Sequence, residues 1–147
     1  MKFRLVYFTS LVAALISGCL KSSPSPAVPL PTGSFSGGFM AIHNPASSLY
    51  GTIAKADTLK AALQLSLSQS TGFQVSGDTS IHAGSYGDYG VNAYNIEFVD
   101  ETYSPAQAFT KYHLDGVYNY TYNGSTLNIY INYADTLSLQ YVFKKIN

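Results

Sequence analysis

Residues 33–147 predict an all-β domain, an antiparallel meander of seven to eight strands arranged as an up-and-down barrel or a β-sandwich, with room for one short helix. Three observations carry this. Apolar and polar residues alternate strictly in several short runs. Turn residues separate those runs at short intervals. Tyrosine, which is favoured in strands, occurs 13 times.

The first strand is expected over 34–43. In TLKAALQLSLSQ, Leu59, Ala61, Leu63, Leu65 and Leu67 alternate with Thr58, Lys60, Ala62, Gln64, Ser66 and Ser68. Leucine and alanine favour helices, but a helical stripe needs apolar residues three and four apart, so alternation decides for a strand. Ser70-Thr71-Gly72 turns the chain into a strand at 73–79, opened by Phe73 and Val75. Residues 77–90, GDTSIHAGSYGDYG, read as a Gly-rich loop whose Asp and Ser side chains satisfy local turns. Another strand is expected over 91–99. Ser104-Pro105-Ala106-Gln107-Ala108-Phe109 fits a short helix, with serine as cap and proline in the first turn.

The last third carries the strongest turn signal, Asn123-Gly124 inside VYNYTYNGSTLNIYI. A two-residue Asn-Gly loop pairs Tyr122 with Ser125, Tyr120 with Leu127 and Tyr118 with Ile129, and sets Tyr130 opposite Val117. Tyr118, Tyr120, Leu127, Ile129 and Ile131 then share one face, as the hydrophobic pattern also requires. A turn near Tyr133–Asp135 leads to Leu137, Leu139, Tyr141 and Phe143. The expected inward set is bulky and nearly all apolar: Leu63, Leu65, Leu67 and Phe73 from the first half, with Tyr118, Tyr120, Leu127, Ile129, Leu137, Leu139, Tyr141 and Phe143 from the second. A barrel of about eight strands is just wide enough for such residues to fill it, or for one small ligand.

Ahead of this domain lies an export signal. Lys2 and Arg4 form a basic head, and Leu5 to Ile16 is apolar apart from Thr9 and Ser10. The run is shorter than the roughly 20 residues a spanning helix needs. Ile16-Ser17-Gly18-Cys19 then resembles the lipobox of bacterial lipoproteins. That resemblance implies a diacylglyceryl group on the Cys19 sulfur, cleavage before Cys19 and acylation of the new amino group. It divides the chain into a signal peptide (1–18), a lipidated, Pro/Ser-rich tether (19–32) and the β-domain (33–147). The tether, rich in proline, favours an extended form that can lift the domain roughly 40 Å from a membrane. Leu20 is not the aspartate that retains some lipoproteins in the inner membrane, so the outer membrane is expected.

A second resemblance involves the domain. Gly33-Ser34-Phe35-Ser36-Gly37 looks like the first strand of calycin-type barrels, and Leu114-Asp115-Gly116-Val117-Tyr118 with the hairpins after it looks like the closing half of small lipocalin-like lipoproteins of Bacteroidota. It implies a barrel able to carry a small apolar ligand. True lipocalins have G-x-W in the first strand, and this chain has no Trp.

Composition narrows the chemistry. Removal of residues 1–18 takes away Lys2 and Arg4 and leaves 6 basic against 8 acidic side chains, so the mature chain carries −2 without a basic cluster. Nucleic acid is not an expected partner. Cys19 is the only cysteine, so its lipidation leaves no thiol for redox or zinc chemistry. No cofactor is expected beyond that covalent lipid. There is no G-x-S-x-G elbow and no H-E-x-x-H; a triad can be drawn from His113, Asp115 and a serine, but no motif supports it. The expectation is therefore a non-enzymatic envelope lipoprotein, with a binding or structural role exercised through its outer surface. A hydrolase of unknown substrate is the remaining alternative. Candidate contact residues are His82, Tyr86 and Asp88 in the Gly-rich stretch and Tyr130 on the outer face, with an envelope protein or a glycan as partner. A metal site from His82 with Asp78 or Asp88 is the functional alternative to a plain loop there.

Overall fold

The computed structural model describes residues 29–44, 57–104, 106, 108 and 110–146. The signal peptide, Cys19 and the tether up to residue 28 lie outside the described residues. Eight strands follow in order: β1 (Gly33–His43), β2 (Asp57–Ser68), β3 (Gly72–Gly77), β4 (Ser85–Val91), β5 (Asn95–Asp100), β6 (Gly116–Tyr122), β7 (Thr126–Tyr133) and β8 (Leu137–Lys145). Each pairs antiparallel with the next, and β8 pairs with β1, so the sheet closes as an up-and-down barrel and not a sandwich. Followed once around the wall, the pairings return to β1 displaced by about 12 residues, a stagger that tilts the strands against the barrel axis.

Alternation decides which face turns inward. Leu63, Leu65 and Leu67 of β2, Tyr118 and Tyr120 of β6, Leu127 and Ile129 of β7, and Leu139, Tyr141 and Phe143 of β8 are all buried, while Leu137 is half-buried at its strand's start. Phe35, Phe39, Ile96 and Phe98 join them. The rings interlock: Phe73 meets Phe98 edge-on at 5.0 Å, and Phe39 lies 4.9 Å from Tyr141. These side chains fill the barrel's middle.

Four details depart from the sequence expectation. The stretch 77–90 is only half loop, because residues 85–91 form β4. Its first two inward positions are Ser85 and Gly87, too small to register as an apolar period; only Tyr89 and Val91 follow on that face. Gly87 has to be small: a Cβ there would sit 1.9 Å from the Val99 carbonyl oxygen. The strand expected at 91–99 is instead a hairpin, with Val91 ending β4 and Asn95 starting β5. Asn92 makes that turn, its Oδ1 accepting the N–H groups of Tyr94 (2.9 Å) and Asn95 (2.8 Å).

The β6–β7 register is also two residues off the expected one. Tyr122 faces Leu127, Tyr120 faces Ile129, and Tyr130 sits opposite Asn119, not Val117. Asn123 stays outside the tight loop and accepts the Ser125 and Thr126 N–H groups, leaving Gly124 as the positive-φ residue (92°). An even shift preserves every face, so the core assignment survives. Finally, residues 104, 106 and 108 are not helical, and Pro105, Gln107 and Phe109 lie outside the described residues.

The two ends of the barrel differ. The β2–β3, β4–β5 and β6–β7 connections at one end are tight turns. Buried Pro31 closes this end, its carbonyl accepting the Tyr89 hydroxyl of β4 at 3.3 Å. The other end carries β1–β2, β3–β4 and the 15-residue β5–β6 connection, 101–115.

The outer wall is mixed. Tyr86, Val99, Val117, Tyr130 and Val142 form an exposed belt across β4 to β8, each two residues off direct register with the one before. Lys60, Gln64 and Gln74 face outward from β2 and β3, and Asp88 and Glu97 from β4 and β5. The wall mixes this belt with charged and polar side chains, whereas the outward face of a membrane-spanning barrel is a continuous apolar band.

Candidate ligand site at the barrel mouth

The end with the long connections is built by stitching two of them together. The Tyr112 N–H donates to the Ile81 carbonyl (2.9 Å), and the Ala83 N–H donates to the Tyr112 carbonyl (2.7 Å). This parallel bridge seats His82 and Leu114 in the barrel's end, both without exposure.

A polar relay then runs inward from His82. Its Nδ1–H donates to the Ala83 carbonyl (2.7 Å), which leaves Nε2 to accept the Tyr141 hydroxyl (3.1 Å). The Tyr118 hydroxyl neighbours that of Tyr141 and donates to the Asp115 carbonyl at 3.0 Å. Each buried polar group of the relay thus has a partner, as burial demands. Burial lowers the His82 pKa from 6.5 to about 4, so its ring is neutral at pH 7. Burial likewise pushes the Tyr118 and Tyr141 hydroxyls up, and they stay protonated.

A second cluster sits at the rim. The Asp100 carboxylate is fully buried and accepts three hydrogen bonds, from His113 Nδ1–H (2.8 Å), the Thr102 N–H (2.8 Å) and the Thr102 hydroxyl (2.6 Å). The Asp100 N–H donates to Asp115 Oδ1 at 3.0 Å. Tyr103 lies against the His113 ring, 4.6 Å between centroids. Across the mouth, the Tyr112 hydroxyl pairs with His43 Nε2 (2.9 Å), and His43 Nδ1 is buried with no hydrogen-bond partner among the described residues.

Between these groups lies a pocket of about 470 Å³. The rings of Tyr103, Tyr112, Tyr118 and Tyr133 and the side chains of Leu137 and Leu139 make its apolar walls. His43, Lys111, His113 and Asp115 supply its polar groups. Tyr120 and Tyr141 do not line it: Tyr141 is fully buried, and the Tyr120 hydroxyl donates to the Asn92 carbonyl (2.9 Å). The space is a mouth, not a central cavity.

The sequence candidates do not converge on one site. His82 is inside the barrel, Asp88 and Tyr86 face outward from β4, and Tyr130 faces outward from β7. Tyr86 and Tyr130, 56% and 41% exposed, are members of the outer belt. The metal set of His82 with Asp78 or Asp88 does not assemble, since Asp78 is exposed and holds the Ser80 N–H (2.9 Å), and among the described residues no group of three or more His, Cys, Asp or Glu could hold a metal. His113 takes Asp100, not Asp115, as its carboxylate, and no serine is among the described residues lining the pocket. Cys19 lies outside the described residues. The sequence offers His113 and Asp115 but not their meeting with Asp100 and His43, because these residues come from strand ends and one long connection; Asp100-Glu101-Thr102 is the available signal, a side-chain-capped turn closing a strand. No family model, no curated protein and no solved structure matches the chain.

Proposed function

We propose that the chain is an exported, lipid-anchored envelope protein whose barrel binds a small ligand at its mouth without transforming it. The pocket carries this reading. About 470 Å³ falls in the range of roughly 300–1,000 Å³ typical of small-molecule sites, with aromatic walls and a few fixed polar groups. The packed interior argues against carriage deep within the barrel. Anchoring is supported by the basic head, the apolar run and the Ile16-Ser17-Gly18-Cys19 pattern. A macromolecular partner on the outer wall is the second reading, favoured by the belt of Tyr86, Val99, Val117, Tyr130 and Val142.

The test is a thermal-shift screen of the full chain against a library of soluble metabolites, run beside a Leu137→Trp variant in which the indole fills the pocket. Compounds that stabilise the wild type and not the variant are expected. If the two respond alike to every compound, the mouth is not the binding site.

A further inference from the structure

We infer that the mouth pocket takes a neutral polyhydroxylated ring, a saccharide unit, in preference to a fatty acid or any other charged amphiphile. The inference rests on the ligand-binding reading above and names its chemistry.

The argument starts from the charges at the rim. Lys111 and Asp115 both line the pocket and carry opposite signs, while Asp100 is spent on His113 and Thr102. A charged ligand therefore meets one like charge for each opposite one. The hydrogen-bonding groups are also of both kinds. Asp100 takes the Nδ1–H of His113, so only that ring's far nitrogen, Nε2, is left for a ligand. Asp115 is an acceptor and Lys111 a donor. The His43 ring, whose Nε2 pairs with the Tyr112 hydroxyl, lines the same pocket. A carboxylate can only accept, and an ammonium can only donate. A sugar hydroxyl does both, so one ring bearing several hydroxyls can serve Lys111, Asp115 and His113 together. The remaining wall suits the rest of such a ring. Its C–H faces are apolar, and Tyr103 and Tyr133 offer accessible amphipathic rings to cover them.

The test is saturation-transfer NMR on the full chain, held in a polyoxyethylene detergent that carries no sugar headgroup. The probes are glucose, galactose, mannose, N-acetylglucosamine and maltose, with benzoate and benzylamine as an aromatic anion and cation. At least one saccharide is expected to bind the wild type and to be lost in Leu137→Trp. Asp115→Asn and Lys111→Met are each expected to weaken it by about tenfold, the effect of one charge-assisted hydrogen bond. Circular dichroism melting of each variant separates this from unfolding. If benzoate or benzylamine binds at the mouth and no saccharide does, the saccharide assignment falls while the mouth site stands. Saccharide binding that survives Leu137→Trp overturns the location, and no binding by any saccharide overturns the inference.

Discussion

His82 shows how one buried ring sets a pH limit on the whole barrel. Burial lowers its pKa from 6.5 to about 4. In that window the unfolded chain binds more protons than the folded one, so stability falls as pH drops from 6.5 and is lower by about 3 kcal/mol once pH reaches 4. Above 6.5 the group adds no pH dependence. Urea unfolding at pH 7 and pH 4 reads this directly. His82→Gln keeps an acceptor for Tyr141 but cannot titrate, so its loss between those pH values should be smaller than the wild type's by about that amount. Equal losses in the two proteins would show that His82 is not the group responsible. None of this was visible in the chain itself. His82 stands in a polar, Gly-rich stretch, and only the bridge to Tyr112, 30 positions on, carries it inside.

Among the strands, β4 separates what was legible from what was not. The faces of β2, β6, β7 and β8 follow from alternation, because their inward residues are large and their outward residues polar. β4 has glycine on both faces. Gly87 looks inward where a Cβ would strike the Val99 carbonyl, and Gly90 looks outward with nothing within 4 Å. The two glycines therefore respond oppositely to the same change. Gly87→Ala should cost about 3 kcal/mol or more, since the clash is with backbone and only separation of β4 from β5 relieves it. Gly90→Ala should be neutral or stabilising by about 0.4–1 kcal/mol, through a less flexible unfolded chain. Denaturant midpoints of the two variants check this; a mild Gly87→Ala would mean that β4 and β5 are less tightly paired than the register implies. The hairpin register has a local cause as well. The dipeptide Asn123-Gly124 predicts a loop of its own, but the Asn123 side chain accepts two N–H groups ahead of it and stays outside.

At the scale of the molecule, the direction of the barrel matters. The chain enters β1 at the closed end, beside Pro31, and the pocket lies at the other, where β1 ends in His43. The proposed anchor at Cys19 is thus joined to the barrel at the end opposite the pocket. Cys19→Ser should yield unprocessed precursor in place of an acylated chain lacking residues 1–18, as read by intact mass; wild-type protein extracted from membranes with a free thiol would contradict anchoring. The expected anchor signal is local, a run and four residues outside the described region. The pocket was not legible, because His43, Asp100, His113 and Leu137 meet only when the wall closes.

That closure joins the first strand made to the last, Phe35 beside Lys145 and His43 beside Leu137. Such a seam pairs residues almost as far apart as the domain allows, and distant pairings form slowly. Until residue 145 has left the ribosome the seam has only one side, and β1 and β8 remain open edges able to pair elsewhere. A wall of this topology therefore stays unlocked until its last strand is in place.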